Sequence, residues 1–452
     1  MASLPRGHAL IGPDAPSEII LDADALATPE AARAAVQRTF AYWVGDGTRG
    51  EPLGAAGMQR VDEYLAPTVT LRRLLRHDVE HDRARLIQAS REQARTLDHF
   101  RSHRRVAVVG PAGSGKSILA IEKARRLAHD GFRTLLVCFN QPLATAMLRE
   151  VEQSTADDPA TAERLTVSTF HRLCETLGDR AGVLPPKADD PPREWWDEVL
   201  PATLDAAIDA LPDERFHAIV VDEGQDFEHA WLESLTFLLD DPAGDVLWVF
   251  HDPGQALYRD DQVAALGLEE VDLFEDYRCP APVSELAARF YRGPSEPLAL
   301  APAGRPPRII EAAPGEPTVE AIRVELHRLM ADEGIRPWQI VVLSGHTAAE
   351  SAVWRQRHFG NEVLWNGAID DAGRSRRLPS DEVPDEPPDV IRFETIRRFK
   401  GLEREVVILC ELPESADRLD QLLYVGLTRA TTQLVVIAPP KLAGRLGVRT
   451  HE

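Results

Sequence analysis

The stretch Val106-Ala-Val-Val-Gly110-Pro-Ala-Gly113-Ser-Gly115-Lys116-Ser117 has the residue types and spacing to hold an oligophosphate. It reads G-x-x-x-x-G-K-[ST], with an apolar run before it and Ile-Leu-Ala-Ile-Glu-Lys-Ala-Arg-Arg-Leu after it, the strand-then-helix context that a P-loop requires. Glycines at 110, 113 and 115 let the backbone wrap a phosphate with its N–H groups, and the helix N-terminus adds partial positive charge. Lys116 would then hold the β- and γ-phosphates and Ser117 a Mg²⁺. The rival reading is a plain glycine-rich turn between a strand and a helix.

Further along, Ala218-Ile-Val-Val-Asp222-Glu223 is an apolar strand that ends in two acids. At the carboxyl edge of a parallel sheet such acids face the nucleotide crevice. Asp222 would hold the metal through water, and Glu223 would orient or deprotonate an attacking water. Adjacent acids after a strand are also common as a solvated edge; the P-loop in the same unit is what favours chemistry.

The elements that must position these groups alternate between strand and helix. From about 86 to 275 strands are predicted at Val106–Val109, Thr134–Cys138, Leu165–Ser168, His217–Val221 and Val246–Phe250, with a small insertion near 175–212 that carries a helical Glu194–Leu211. A second α/β unit, 276–452, is predicted with strands at Pro307–Glu311, Gln339–Leu343, Val390–Phe393, Glu405–Leu409 and Gln433–Ile437. Pro294–Pro307 and Ser375–Pro388 would be irregular connections. The predicted fold class is therefore α/β, with two parallel sheets flanked by helices. Ahead of them, residues 1–85 form a small, mostly helical accessory segment, in which Pro29–Val44 reads as an amphipathic helix with Ala31, Ala35, Phe40 and Trp43 as its packing stripe.

The 452 residues, 44% of them hydrophobic, are enough for two or three domains. No apolar run has the length of a membrane span and the N-terminus lacks a signal-peptide core, so a cytoplasmic protein without a membrane partner is expected. The four cysteines, Cys138, Cys174, Cys279 and Cys410, are far apart with no C-x-x-C pair, which favours buried reduced thiols over zinc or disulfides. A net charge of −22 argues against a broad duplex-DNA footprint, since phosphate binding draws on Lys and Arg. Local basic clusters remain at 101–105 and 392–404, each also readable as a solvated face, and 381–389 is acidic and Pro-rich.

From Leu86 to Ala438 the series of motifs resembles superfamily 1 helicases of the UvrD/Rep type. Ser90-Arg-Glu-Gln93 lies where that family has its adenine-reading glutamine, with Gln88 a nearby competitor. Phe139-Asn140-Gln and Thr169-Phe170-His171 resemble its single-strand contact motifs, and Asp222-Glu-Gly-Gln-Asp-Phe227 its Walker B motif. His251-Asp-Pro-Gly-Gln255-Ala-Leu-Tyr258 is similar to the motif whose glutamine senses the γ-phosphate. In the second half, Asp276-Tyr277-Arg278 resembles the motif in which tyrosine stacks on adenine and arginine reaches the γ-phosphate. Thr395-Ile-Arg-Arg-Phe-Lys-Gly401-Leu-Glu403 is like the one whose Gly-Leu-Glu reaches the ribose, and Leu423-Tyr-Val-Gly-Leu-Thr-Arg429-Ala like the one that ends in a second arginine finger.

The resemblance implies two RecA-like domains, 86–275 and 276–452, that hydrolyse ATP with Mg²⁺ between them. Phe139, Phe170, His171 and Tyr258 would line a path for single-stranded DNA or RNA, along which a motor of this family moves 3′ to 5′ in repair, recombination or defence. Read alone, the three aromatics could be core, His171 a loop residue, and Arg278 and Arg429 surface ion-pair partners. Four positions depart from the family: His251 replaces Gly, Asp260 a base-stacking Trp, Asp276 an Asn and Arg397 a His. The span from Arg278 to Thr395 is too short for the bulky accessory domain of UvrD-type enzymes. The runner-up is a switch ATPase that senses nucleic acid or nucleotide and controls a partner protein such as a nuclease. A small-molecule P-loop kinase would leave the second half idle.

Overall fold

The computed structural model describes residues 19, 21, 24–44, 74–83, 85, 97, 100, 102–188, 191–258, 262–293, 298–299, 304–374, 376, 383–415 and 418–447. The chain forms two compact units, Met1–Arg72 and Arg73–Glu452, so the larger one starts ahead of the boundary expected near 85. In the smaller unit the helix Pro29–Val44 forms as its pattern predicts. Ala35 is buried on it, but Phe40 is 66% exposed and so is not part of a packing stripe there. The side chain of Trp43, like Gln88, Gln93 and Asp260, lies outside the described residues.

The larger unit is built on two sheets. The first holds β1 (Arg105–Val109), β2 (Thr134–Cys138), β3 (Leu165–Thr169), β4 (Ala218–Val221), β5 (Val246–His251) and β6 (Glu269–Asp272), in the order β3-β2-β4-β5-β1-β6. All its pairings are parallel. Because side chains alternate along a strand, β4 sends Ile219 and Val221 into one apolar layer and Ala218 and Val220 into the other. Both faces are covered by helices, as a buried parallel sheet requires. Lys116–His129 packs there through Leu119, Ala120, Ala124, Leu127 and Ala128.

β7 (Glu275–Asp276) pairs in parallel with β8 (Leu298–Ala299), inside a stretch read from sequence as irregular. The second sheet holds β9 (Arg308–Glu311), β10 (Ile340–Ser344), β11 (His358–Phe359), β12 (Glu362–Trp365), β13 (Ile391–Thr395), β14 (Arg404–Cys410) and β15 (Ala430–Ala438). Its order is β11-β12-β13-β10-β14-β15-β9, parallel except for the β11–β12 hairpin. Val407 and Leu409 of β14 face one layer, and Val406 and Ile408 the other. A helical stretch at 75–83 adds Leu75 and Val79 to the second layer, where Leu75 N donates to Glu333 Oε2 at 2.8 Å. Ala112 and Leu257, from the first half, belong to the core of the second. The two sheets are thus packed together rather than strung on a linker.

The four cysteines are buried and free. Among the described residues no helix is long and apolar enough to cross a membrane.

Candidate nucleotide site and the aromatic row beside it

Parallel order puts the chain segments after β1, β2, β3, β4 and β5 on one edge of the first sheet. They are the P-loop, Phe139-Asn140, Phe170-His171, Asp222-Glu223 and Asp252–Tyr258. Gly113 and Gly115 sit in the left-handed region, φ +81° and +79°, and a Cβ on Gly113 would come within 1.9 Å of Asp276 Oδ1. Only glycine fits there. Lys116, 6% exposed, bends back over the loop and donates to the carbonyls of Gly110 and Pro111 at 2.7 Å each. Burial lowers its pKa, against the pull of Asp252, Glu223 and Asp222.

Asp222 is fully buried, with the Ser117 hydroxyl as the side-chain donor beside its carboxylate. Burial first, then the charge of Glu223, push its pKa up, while Ser117 and Lys116 draw it back. A buried carboxylate beside a serine hydroxyl at a helix start is a donor set that suits a hard divalent cation. No cluster of three or more His, Cys, Asp or Glu able to hold a metal by itself occurs among the described residues. Glu223 stands in the left-handed region at φ +56°, an uncommon position for a side-chain-bearing residue. Burial acts to raise its pKa, but Lys400, Lys116 and Arg429 together hold it below the usual value.

The second half closes this pocket, which Gly113, Lys116, Ser117, Glu223, Gln255, Arg278, Gly401, Glu403 and Arg429 line together. Arg278 donates to Glu403 Oε2 at 2.8 Å. Arg429, 1% exposed, donates to the carbonyl of Val425 at 2.8 Å, to Thr428 Oγ1 at 2.9 Å and to Gln255 Oε1 at 3.0 Å. Burial first, and Arg278 second, bring its pKa down to about 10. Gln255 passes the contact on, donating to Asp252 Oδ2 at 2.6 Å, and that oxygen is 3.8 Å from Lys116 Nζ. A continuous polar chain therefore joins the second-half arginine to the P-loop lysine. Tyr277 is half-buried; its N–H donates to Gly113 O at 3.2 Å and its hydroxyl to Glu275. Gly401, φ +81°, abuts Leu143.

Two residues not singled out from the sequence complete the junction. Lys400, 1% exposed, places Nζ at 2.7 Å from both oxygens of Asp226 and 3.4 Å from Glu223. The hydroxyl of Tyr424 accepts the N–H of Ala112 at 2.9 Å. Both lie inside the motifs quoted above, and a buried lysine at a strand-flanking turn was the available signal. Asp276, in the place of an expected Asn, accepts the N–H groups of Arg278 at 3.0 Å and Cys279 at 3.1 Å.

The residues expected on a strand path divide. Phe139, His171 and Tyr258 are half-buried and mutually close, with Phe139 centred 5.5 Å from His171 and 5.3 Å from Tyr258. Phe170 is fully buried, stacked on Trp231 at 4.9 Å. It is core, because β3 ends by turning this ring inward at the start of the helix Phe170–Arg180, and it presents no face to a base. Thr169 caps that helix, accepting Arg172 N at 3.2 Å. Asn140 is 9% exposed and donates to the carbonyls of Arg398 and Lys400 at 2.8 and 3.0 Å, a tie between the halves rather than an open contact. The basic cluster 392–404 meets the acidic one: Glu386 Oε2 lies 2.8 Å from Arg404 and 3.6 Å from Arg392, and Asp385 lies 2.8 Å from Arg149.

Residues 391–437, which span β13 to β15 with Lys400, Gly401, Glu403 and Arg429, match the UvrD-like helicase C-terminal domain. No curated protein matches the chain. Among solved structures, the chain is similar to the helicase of PRRSV, at 12% identity and a TM-score of 0.35, over 74% of this chain and 52% of that one. It is also similar to the arterivirus nonstructural protein 10 helicase, at 14% identity and a TM-score of 0.37, over 76% of this chain and 61% of that one. The same arterivirus protein in complex with DNA gives 14% identity and a TM-score of 0.35, over 76% of this chain and 63% of that one. The chain thus spans between 52% and 63% of the length of these proteins. The likeness to a known family is thus borne by residues 391–437, which match the UvrD-like helicase C-terminal domain.

Proposed function

We propose that this protein is an ATP- and Mg²⁺-dependent motor on single-stranded nucleic acid, with DNA as its substrate and 3′ to 5′ as its direction. One observation carries the reading: the P-loop pocket is walled by Arg278, Gly401, Glu403 and Arg429 from the other half of the molecule. A nucleotide held there would bridge two rigid bodies. Lys116 would leave the P-loop carbonyls for the β- and γ-phosphates, and Ser117 and Asp222 would hold Mg²⁺, which when bound offsets phosphate charge. Glu223 would orient the attacking water, and Gln255 would report the γ-phosphate to Arg429 along their hydrogen bond. Arg278 and Arg429 would stabilise the charge of the transferring phosphoryl group, an effect typically worth about 10³ to 10⁵ in rate. Domains 86–275 and 276–452 would then separate after hydrolysis and move a strand held at Phe139, His171 and Tyr258.

The test is the steady-state ATPase rate with and without single-stranded DNA, duplex DNA and single-stranded RNA. Stimulation by single strands alone is expected. A rate indifferent to every nucleic acid refutes the motor and favours a switch that controls a protein partner such as a nuclease. The pairing of Arg149, Arg392 and Arg404 with the chain's own Asp385 and Glu386 is the observation on that second side.

A further inference from the structure

Four half-buried rings stand in file along the carboxyl edge of the first sheet: Tyr258, Phe139, His171 and Trp196. Successive centroids are 5.3, 5.5 and 5.5 Å apart. The first three follow strand ends. The fourth comes from the insertion, where the π-helical turn Trp195–Val199 buries Trp195 to 7% exposure and leaves its neighbour against His171. Such turns occur often at functional sites, because the extra residue re-aims a side chain. His171 Nε2 donates to the carbonyl of Trp196 at 2.9 Å, which fixes the insertion to the sheet edge. Beneath the file, Trp231 stacks on Phe139 at 6.1 Å and on Phe170 at 4.9 Å, giving it a packed floor. A cation stands at each end: the Arg397 guanidinium 5.9 Å from the Tyr258 centroid, and the Lys187 ammonium, itself paired with Glu175, 4.7 Å from the Trp196 centroid.

We propose that Trp196 is a base-stacking platform, and that the strand-binding surface extends from the sheet edge onto the insertion. This rests on the motor reading above. Half-buried rings in series, their successive planes turned 54°, 66° and 84° from one another, offer stacking area to any base, and flanking cations suit the phosphates on either side. A duplex keeps its bases stacked on one another, so the file selects an unpaired strand. The indole supplies area that Phe139 and His171 lack, and it does so from a segment that none of the recognised motifs includes.

The experiment is fluorescence anisotropy of a labelled oligo-dT with the full chain, repeated with an abasic oligomer of the same length. Trp196→Ala should weaken oligo-dT binding by about fivefold to about 150-fold, the range of one base stack. Trp196→Phe should recover most of it, and the abasic oligomer should bind wild type and Trp196→Ala alike. Wild-type affinity in Trp196→Ala, or an equal loss on the abasic oligomer, overturns the platform. If Phe139→Ala loses affinity while Trp196→Ala does not, only the extension falls. If the wild-type chain binds no oligo-dT, the motor reading falls with it.

Discussion

Replacing Lys400 by Met removes a charge while keeping most of the side chain's volume, and its cost can be worked from three distances. Nζ lies 2.7 Å from each oxygen of Asp226 and 3.4 Å from Glu223, with all three side chains at most 5% exposed. At an effective dielectric constant of about 20 the gross attractions are about 6 and about 5 kcal/mol. Desolvation of the ions cancels much of this, so the net worth of the pair is far smaller. Deleting one partner is different: a buried carboxylate then keeps its desolvation without its cation, at a typical cost of about 3 to 5 kcal/mol. Against a total stability of about 5 to 15 kcal/mol this is a large fraction. The assay is urea denaturation followed by tryptophan fluorescence. Lys400→Met should lower the midpoint markedly, and Lys400→Met with Asp226→Asn should recover part of the loss, since Asp226 is no longer stranded while Glu223 keeps only Lys116 and Arg429 as counterions. A Lys400→Met unfolding free energy within about 1 kcal/mol of wild type, with no gain in the double variant, would refute the reasoning.

Arg429→Ala should cut ATP turnover by about 10³ to 10⁵ while nucleotide binding is largely kept; unchanged turnover removes Arg429 from the reaction. Glu223→Gln should retain bound nucleotide and tighten single-strand binding, as measured by filter retention, and a variant that turns over normally shows that Glu223 does not act on water. Gly113→Ala forces a Cβ to 1.9 Å from Asp276 Oδ1 at φ +81°, so it should cost roughly 1 to 3 kcal/mol of local strain and weaken nucleotide affinity. An unaltered melting temperature together with unaltered affinity would contradict that contact.

The strands that carry the site were legible because each is an apolar run followed by a turn. β2 has the bounds that its pattern predicts, and β1, β3, β4 and β5 differ from prediction by single residues. β6 was not legible: Glu269-Glu-Val-Asp272 has no apolar run, being an edge strand whose side chains remain largely solvated. The β11–β12 hairpin is too short for periodicity to register. Motif spacing grouped Gly113, Gly115, Lys116, Ser117, Glu223, Gln255, Arg278, Gly401, Glu403 and Arg429, which the structure sets around one pocket, since a P-loop and a strand-end acid pair leave few geometries open. It could not foretell that Phe170 turns inward or that Asn140 spends its amide on the other half. Those outcomes depend on Trp231 and on the carbonyls of Arg398 and Lys400, which are distant in sequence. Trp196 was hidden for the same reason, being read only as part of an insertion.

Asp385 and Glu386, seated against Arg149, Arg392 and Arg404, act as counterions that the chain supplies to itself. Three arginines facing free solution would give a logarithmic salt slope of about −2 for a single strand, at about −0.7 per neutralised phosphate. Here an incoming phosphate would trade places with a tethered carboxylate, and fewer small ions would be released. Affinity on this face should therefore vary less with ionic strength than the number of arginines suggests. A molecule with a net charge of −22 can in this way keep three arginines close together while supplying their counterions itself.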